Sequence, residues 1–354
     1  MKKVLGVAVM GVWLAVATAG SADVFNMGTG LTSLETVPVG NAGNMADTRY
    51  ETLGYGAVGY NYNIGKYEVT AGQYTEFLNA VADTDTYGLY NTSMDTAVYS
   101  YGCNIKRTGS SGSYAYSVAN NSTDGYWANR PVNYVSWGDS ARFANWLHNG
   151  QPTGAQGLLT TEDGAYYLNG ATSDSALLAV TRKVNSWKWA VTSEDEWYKA
   201  AYYSGSGSTY YDYPTGTNTP PSNVLGNPTD PGNNATYNDY YGTGTGGYTI
   251  GDPYYRTEVG AHENSDSLYG TFDQGGNVWE WNEAILYGSG RGLRGGSFGD
   301  YDTDLRASSR GNNYPTYEGT FLGFRVSEVP EPASMAILAL GGLGMLVRRR
   351  GVRG

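Results

Sequence analysis

The sequence predicts an irregular α+β domain that combines few helices and short strands with long loops. Its 354 residues include 51 glycines and 33 tyrosines, whereas charged residues make up only 16% of the chain. Abundant glycine with few charges indicates a turn-rich fold and argues against a helical bundle. Helix-start signals stand at three places, and the alternating segments between them are short. A chain of this length suits one large domain or two ordinary ones.

The net charge of the chain argues against a nucleic-acid partner, and its single cysteine excludes an intramolecular disulfide. A net charge of −11 and an isoelectric point near 4.7 argue against a nucleic-acid partner, because phosphate binding depends on basic residues. Cys103 is the only cysteine, so the chain has no intramolecular disulfide. No base or second thiol lies near Cys103 in the sequence, and an inert small side chain is its expected role.

Residues 1–22 have the three parts of a secretory signal peptide. A basic start at residues 2–3 precedes an apolar run over residues 4–16, and small residues follow. The apolar run is too short to cross a bilayer, which disfavours a membrane anchor. We therefore expect export, with a mature chain that opens near Asp23.

The first helix is predicted to begin at Thr70, after a strand over residues 61–69. The threonine side chain can accept a hydrogen bond from a backbone N–H of the first turn and so cap the helix. Apolar side chains then recur on one face, at Tyr74, Phe77, Leu78 and Val81. The helix is expected to end at about Val81.

Two further helices begin with a capping box, in which a serine and an acidic residue three positions later satisfy backbone N–H groups reciprocally. Ser136 pairs with Asp139 in this way, and Gly150 stands just past the expected end of that helix. Ser193 pairs with Glu196 at the start of the third helix. Long insertions are expected between the three helices and after the last.

Three insertions are rich in Tyr, Ser, Gly, Asn and Thr and cover residues 82–129, 150–186 and 203–255. The first is expected to hold a short strand at residues 113–118, and the second half a hairpin at residues 165–170. The third has a composition typical of disorder, but its many tyrosines favour ordered loops that pack on each other.

A double glycine followed by an acidic and aromatic segment is the most informative part of the chain. Gly275 and Gly276 allow backbone angles closed to other residues, which predicts a tight turn. A short strand follows, in which Glu280 stands between Trp279 and Trp281. A carboxylate between two indoles is costly unless an arginine, backbone N–H groups or a hard cation neutralises it.

Six blocks of the chain resemble, in order, the signature segments of the formylglycine-generating enzyme family, also called the sulfatase-modifying factor family. The segment around Glu280 resembles the family's Gly-Asn-Val-Trp-Glu-Trp signature. The other five blocks are Tyr67-Glu68-Val69-Thr70, Pro131-Val132-Asn133-Tyr134-Val135-Ser136-Trp137, Glu194-Asp195-Glu196-Trp197, Arg294-Gly295-Gly296-Ser297-Phe298 and Gly323-Phe324-Arg325. The resemblance implies one α+β domain over residues 23–328, of the family's elaborated C-type-lectin-like fold, with short antiparallel strands and long loops.

The resemblance also implies structural Ca²⁺, held by the oxygen ligands that calcium prefers. The residues that fall on the family's pattern for one site are Asp273, Gly276, Val278 and Glu280. Calcium would also explain how Glu280 is tolerated between tryptophans. The alternative is that Glu280 pairs with Arg294 or Arg325 and that no metal binds.

A second calcium site is implied within the third insertion. Asp252 and the carbonyl of Tyr254 fall where the family completes this site. Asn234 or Asn238 is a loose match for its first ligand. All of these donors are oxygen atoms, as calcium requires.

The chemistry of the family's named enzyme is not expected here. That enzyme oxidises a substrate cysteine with two copper-binding cysteines, which lie just after its Arg-Gly-Gly-Ser block. The corresponding residues 298–305 include no cysteine, and Cu(I) needs more than one soft ligand. Related iron-dependent sulfoxide synthases need a histidine cluster, but this chain has only His148 and His262. We therefore expect neither copper nor iron.

Two other sites can be drawn from residue types alone. Ser297, His262 and one of many aspartates could form a hydrolase triad, but no Gly-x-Ser-x-Gly elbow occurs and nothing in their spacing favours it. Asp300, Asp302 and Asp304 could bind a cation or a sugar, although such a run is more often a solvated loop.

Residues 329–354 resemble the PEP-CTERM sorting signal of bacteria that carry exosortases. A Val-Pro-Glu-Pro stretch is followed by a short apolar run and then by three consecutive arginines. The resemblance implies transient membrane insertion, cutting near residues 330–332 by an exosortase-type processing protease, and transfer of the domain to the cell surface. A plain C-terminal anchor is the alternative, which so short an apolar run disfavours.

These observations predict an exported, surface-sorted binding or matrix module that is not catalytic. Its tyrosine-rich insertions offer rigid amphipathic contact area beside small adaptable polar residues, as antibody paratopes do. The expected ligand is an exopolysaccharide or a surface protein. The alternative is an enzyme of the same superfamily whose chemistry has moved to Asp300, Arg306 and Arg310, near the position of the missing cysteines.

Overall fold

The computed structural model describes residues 27–119, 126–184, 186–226, 232–240, 242 and 245–329. The predicted signal peptide, residues 1–22, lies outside these ranges, as does the sorting segment from residue 330 onward. Within the described part of the chain, no helix is long and apolar enough to cross a membrane.

The described residues form four α-helices: α1 (Ala71–Val81), α2 (Trp137–His148), α3 (Asp174–Ala179) and α4 (Glu194–Tyr202). The predicted helices are α1, α2 and α4, and each begins with a capping box. At α2, Ser136 Oγ accepts the N–H of Asp139 at 3.1 Å, and Asp139 Oδ2 accepts the N–H of Ser136 at 2.8 Å. Helix α3 was not predicted and occupies six residues of the second insertion.

Ten short strands are described: β1 (Thr36–Val39), β2 (Tyr62–Gly65), β3 (Lys106–Thr108), β4 (Ala115–Ser117), β5 (Trp189–Val191), β6 (Trp279–Leu286), β7 (Gly290–Arg294), β8 (Gly311–Asn313), β9 (Leu322–Gly323) and β10 (Val326–Glu328). The strand predicted over residues 61–69 is shortened to β2. The strand predicted at 113–118 is β4, which pairs with β3. The half-hairpin predicted at 165–170 has only isolated bridges.

The strand that ends the domain lies inside the first sheet, whose strand order is β1-β2-β10-β5. All pairs in this sheet are antiparallel. Ser327 of β10 faces Ile64 on β2 and Ala190 on β5. Strand β10 is therefore hydrogen-bonded along both edges, to segments that are distant in sequence.

Strand β6, which begins at Trp279, is an inner strand of the second sheet, whose order is β8-β7-β6-β9. It pairs with β7 in antiparallel fashion, where Glu280 faces Arg294. It pairs with β9 in parallel, where Glu280 faces Gly323. The expected short antiparallel strands are thus confirmed, apart from this one parallel pair among the described strands.

The main core lies where α1 and α2 pack against the strands. The ring of Phe143 on α2 packs against those of Phe77 and Phe324, with centroids 5.3 Å apart in each pair. The predicted apolar face of α1 is buried as a whole, which confirms that the apolar spacing of this helix marks its inner side.

The predicted double-glycine turn is present just before β6. Gly276 has φ +94°, a value that favours glycine, whereas the φ of Gly275 lies outside the left-handed region. A Cβ atom on Gly276 would lie 2.1 Å from the carbonyl oxygen of Thr236. The turn therefore depends on Gly276 in particular.

Candidate functional site

The carboxylate of Glu280 is neutralised by Arg325, one of the two arginines that the sequence left open. Arg325 Nε donates to Oε2 at 2.6 Å and Nη2 donates to Oε1 at 2.7 Å, while Trp197 Nε1 donates to Oε2 at 2.7 Å. All three side chains are fully buried. The same guanidinium donates to the carbonyls of Gly65 at 2.9 Å and Phe272 at 3.0 Å. The bidentate ion pair with Arg325 thus offsets the free-energy cost of burying the Glu280 carboxylate in the core.

Arg294, the other arginine considered for Glu280, pairs with Glu194 instead. Arg294 Nε donates to Glu194 Oε1 at 2.9 Å, and Arg310 Nε donates to the same oxygen at 2.7 Å. Glu194 is the first residue of α4. Arg294 and Arg310 therefore hold the N-terminal end of α4 in position through Glu194.

Two more carboxylates lie near this ion pair. Burial, and then the charges of Asp273 and Glu280, raise the pKa of Glu68 well above its usual range. Both Glu68 carboxylate oxygens are buried without a hydrogen-bond partner among the described residues. Asp273 Oδ2 accepts the N–H of Gly260 at 2.6 Å, and burial raises the pKa of Asp273 to about 6. Three carboxylates thus interact with the single guanidinium of Arg325.

The four residues predicted to hold calcium here are buried or half-buried around the turn before β6: Asp273, Gly276, Val278 and Glu280. Glu280 does not fit a calcium ligand as it stands, because Arg325 and Trp197 already engage both of its oxygens. Within the described residues, no group of three or more His, Cys, Asp or Glu side chains is placed to hold a metal. Glu68, which the sequence did not single out, offers two carboxylate oxygens without partners. Calcium at this place stays a prediction, with Asp273 as the residue to test.

We predict that EGTA lowers the melting temperature of the full-length protein by a few degrees, because a ligand that binds only the folded state adds stability. In Asp273→Asn this sensitivity to EGTA should disappear. Asp266 is exposed, and Asp266→Asn should respond to EGTA as the wild type does. Identical wild-type melting curves with and without EGTA would contradict calcium binding.

The residues predicted for the other calcium site make different contacts. Asp252 is exposed and precedes a cis proline bond. The carbonyl of Tyr254 accepts the N–H of Arg256 at 2.6 Å. Asn234 and Asn238 each keep a buried side-chain oxygen that has no partner among the described residues. No described contact joins these amides to Asp252 or Tyr254, and this site also stays a prediction.

Asp300, Arg306 and Arg310, the residues of the alternative catalytic hypothesis, bind different partners. Asp300 Oδ2 accepts the indole N–H of Trp279 at 2.8 Å and also the hydroxyl of Ser297. Arg306 Nε donates to a tyrosine hydroxyl at 2.6 Å, whereas Arg310 binds the glutamate at the start of α4. The described contacts therefore do not join Asp300, Arg306 and Arg310 into one reactive cluster.

The serine and histidine of the hypothetical triad also have separate partners. Ser297 Oγ donates to Asp300, whereas His262 Nε2 lies 3.1 Å from the hydroxyl oxygen of Thr236. A Ser-His-Asp triad requires a hydrogen bond between its serine and its histidine. The described contacts provide none between these two side chains.

A cluster of contacting aromatic rings lies around Phe298, the first of residues 298–305, and we call it the aromatic platform. It consists of Tyr99, Tyr101, Tyr248, Tyr255, Phe298 and Phe321. Phe298 is buried at its centre. The rings of Tyr255, Tyr101 and Phe321 lie 5.7, 6.0 and 5.1 Å from this central ring, measured between centroids. Tyr99 is 46% exposed, Phe321 41% and Tyr248 39%, so three of the six aromatic residues of the platform reach solvent.

Three distant parts of the chain build the platform. Tyr99 and Tyr101, with centroids 5.7 Å apart, come from the first insertion. Tyr248 and Tyr255, with centroids 5.4 Å apart, come from the third. Tyr101 and Tyr255 join the two insertions at 4.5 Å, and the two phenylalanines come from the C-terminal part of the domain. The composition of these insertions predicts contact surfaces, but only the folded chain brings their tyrosines together.

A cleft of about 300 Å³ adjoins the platform at Phe321. Trp279 and Tyr317 contribute aromatic rings to its lining, and Asn312 and Asn313 contribute amide groups. All ten residues that line the cleft are uncharged. Tyr317 is 49% exposed, so the cleft continues the aromatic surface.

A larger open cleft of about 630 Å³ lies elsewhere, between α3 and residues 167–171. Its lining includes several small residues, and Tyr167 is the one aromatic residue among them. Its two cations, Arg182 and Lys183, are already paired with carboxylates. None of the candidate residues described above lines this cleft. Because a ligand site needs convergent chemical groups as well as volume, the smaller cleft beside the platform is the better candidate.

Two family profiles match the chain. The profile described as the sulfatase-modifying factor enzyme 1-like domain matches residues 37–329. The PEP-CTERM protein-sorting motif matches residues 328–350. No curated protein matches the chain.

Solved structures with low sequence identity resemble the chain over most of its length. Treponema denticola variable protein 1 is 18% identical with a TM-score of 0.48, and the match covers 86% of this chain and 98% of that one. CarF is 17% identical with a TM-score of 0.49, covering 84% and 99%. PvdO from Pseudomonas aeruginosa is 18% identical with a TM-score of 0.44, covering 84% and 95%. Such values are too low to transfer a ligand or an activity.

Proposed function

The chain belongs to the sulfatase-modifying factor enzyme 1-like domain family and carries a PEP-CTERM sorting motif, and from this premise we propose that it is an exported binding module without catalytic activity. The sorting motif implies export and sorting to the cell surface. We assign ligand binding to the aromatic platform and the adjoining cleft. The observation that carries the proposal is the cluster of rings around Phe298, of which Tyr99, Tyr248 and Phe321 are exposed, at residues 298–305, where the cysteines of the family's named enzyme would lie.

The platform suits ligand binding because it gathers aromatic area that the core does not use. Contiguous exposed apolar patches on soluble domains mark interaction sites more often than scattered exposed rings do. Tyrosine gives a large contact area while losing little conformational freedom. The buried ring of Phe298 supports the half-buried ring of Tyr101 and the exposed ring of Phe321, so a ligand meets side chains that are already packed in place.

The side chains considered for catalysis are poorly placed for it, which favours a binding function over an enzymatic one. Cys103 is buried, with Sγ 4.0 Å from the carbonyl oxygen of Asn133, and burial raises the pKa of its thiol. A thiol in such surroundings is a poor nucleophile. The alternative, an enzyme with chemistry at Asp300, Arg306 and Arg310, would require these separately held side chains to rearrange.

The sorting signal assigns a processing partner to the protein. We propose that residues 1–22 are removed on export and that an exosortase-type protease cuts the segment 329–354. The matched domain ends at residue 329, and its last strand ends at Glu328. Cutting near residues 330–332 would therefore release the domain 23–328 with every described strand intact.

We predict saturable binding of the full-length protein, purified in mild detergent, to a glycan array or to a panel of biotinylated surface proteins. Tyr101→Ala should weaken binding about tenfold, because an aromatic contact is worth up to about 1.5 kcal/mol beyond its buried area. Tyr167 is also exposed but lies outside the platform, and Tyr167→Ala should bind as the wild type does.

The same preparations distinguish binding from catalysis. With copper and a cysteine-containing peptide, we expect no oxidation of the peptide. Copper-dependent turnover that survives Cys103→Ser would overturn the proposal and favour the relocated-chemistry alternative.

A further inference from the structure

We infer that the ligand of the aromatic platform is a neutral, hydroxyl-rich polysaccharide. The inference rests on the proposed binding function and adds the chemical class of the ligand. The polymer lies across the exposed rings of the platform and extends into the cleft beside Trp279. Charge, ring geometry and the polar groups of the cleft each support this class of ligand.

The platform and the cleft form an uncharged surface on an acidic protein. None of their residues carries a charge, although the net charge of the chain is −11. The carboxylate of Asp300, beside the cleft, is engaged by Trp279 and Ser297. A polycation therefore finds no carboxylate on the lining, and a polyanion finds no cation while the net charge repels it.

The positive charge under the platform is not accessible to a ligand. The guanidinium of Arg256 lies 5.6 Å from the centroid of the Phe298 ring and is fully buried. Its two terminal nitrogens donate to the carbonyls of Tyr101 and Gly102, each at 2.9 Å. Arg256 therefore positions the first insertion against the platform, and it does not offer an ion pair to an anionic polymer.

The ring geometry suits a chain of sugars better than a single sugar. A pyranose presents aliphatic C–H groups on its faces, and these pack on aromatic faces whose centres carry partial negative charge. Along the row Tyr99, Tyr101, Phe298 and Phe321, successive centroids lie 5.7, 6.0 and 5.1 Å apart. Tyr99 and Phe321, at the two ends of the row, are exposed, whereas Phe298 between them is buried. A ligand that contacts both exposed ends must therefore extend past the intervening rings, as a polymer does and a single sugar does not.

The cleft supplies hydrogen-bonding groups that match hydroxyls. The side-chain amide of Asn312 both donates and accepts, as a sugar hydroxyl does, and it has no partner among the described residues. The hydroxyl of Thr320 lies 2.8 Å from that of Tyr134 and keeps further hydrogen-bonding capacity. Together with the indole face of Trp279, these groups fit a polar but uncharged ligand.

A peptide strand fits this surface less well. Strand addition requires an exposed sheet edge that pairs over several residues. The edge strands of the second sheet, which carries Trp279, are β8 and β9, and they have only three and two residues. The short edges give a peptide few main-chain hydrogen bonds, whereas a sugar polymer uses the ring faces and amides instead.

The test measures binding of the full-length protein in mild detergent by isothermal titration calorimetry to three classes of soluble oligomer. The neutral class comprises glucan, mannan and galactan ladders, the anionic class alginate oligomers and the cationic class chitosan oligomers. We expect a neutral ladder to bind, with an affinity that rises with chain length and does not change with salt, because no charges are screened. Tyr101→Ala and Phe321→Ala should each weaken binding about tenfold.

Control variants and outcomes separate this inference from the proposed function. Tyr167→Ala should keep wild-type affinity, and thermal melting should show that Tyr101→Ala and Phe321→Ala remain folded. Salt-sensitive binding to alginate or chitosan alone, or binding only to a surface protein, would overturn the neutral polysaccharide while leaving a binding module in place. Wild-type affinity in both platform variants, or no binding by the wild type to any probe, would overturn both.

Discussion

Replacing Arg325 by leucine is expected to destabilise the domain by about 3–5 kcal/mol, the cost of breaking a buried ion pair from one side. The substitution leaves Glu280 in the core without its bidentate partner, near Glu68 and Asp273. It also removes the N–H donors to two backbone carbonyls. Urea unfolding followed by tryptophan fluorescence measures the change in the free energy of unfolding.

A second variant tests whether the uncompensated charge is the cause. Glu280→Gln in the Arg325→Leu background should recover part of the lost stability, because it removes one buried carboxylate. Glu35→Gln breaks the pair between Glu35 and Lys66, whose half-exposed side chains lie 3.2 Å apart between Oε2 and Nζ, and should cost less than about 1 kcal/mol. An Arg325→Leu protein within about 1 kcal/mol of the wild type in its free energy of unfolding, on the scale of the Glu35–Lys66 pair, would contradict the role given to the buried ion pair.

Gly276→Ala is expected to prevent stable folding, with a loss of more than about 4 kcal/mol. Its φ of +94° strains any residue with a Cβ, and that atom would lie 2.1 Å from the carbonyl oxygen of Thr236. This carbonyl accepts the N–H of Asn277 at 2.8 Å, so it cannot move away without breaking the turn. Soluble yield and the urea midpoint are the measurements.

The neighbouring glycine provides the matched control. A Cβ on Gly275 would have side-chain atoms of Pro214 and Leu305 as its nearest neighbours, at 3.1 and 3.4 Å, and its φ is not strained. Gly275→Ala should therefore cost no more than about 1 kcal/mol, the size of an ordinary substitution. Equal stability losses in the two variants would show that the backbone clash at Gly276 is not decisive.

Local signals made the helices predictable, whereas distant partners decide the strands. The capping box of Ser136 and Asp139 is complete within four residues, so the sequence alone indicates where α2 begins. Strand β10 has only three residues and is fixed by β2 and β5, which are far away in the sequence. Propensity over three residues carries little information, because strand stability depends on cross-strand neighbours.

The site shows the same division between chemistry and geometry. That Glu280 needs a neutralising partner follows from its position between two tryptophans. The choice of Arg325 over Arg294 depends on how β6, β7 and β9 meet, which no local pattern contains. Glu68 was missed because nothing in its own segment distinguishes it from an exposed glutamate. The tyrosines of the platform were recognised as contact residues, but their meeting around Phe298 is a tertiary property.

The interior position of β10 determines how the domain would respond to a pull on its C-terminal end. A pull applied at Val329 acts along a strand that is hydrogen-bonded to β2 on one side and to β5 on the other. Because those hydrogen bonds run across the strand, tension along it loads them together in shear and does not peel them off one at a time. Val329 adds one more bond, from its N–H to the carbonyl of Lys188 at 2.9 Å. A force applied at this end of the domain would therefore be shared between two neighbouring strands, β2 and β5.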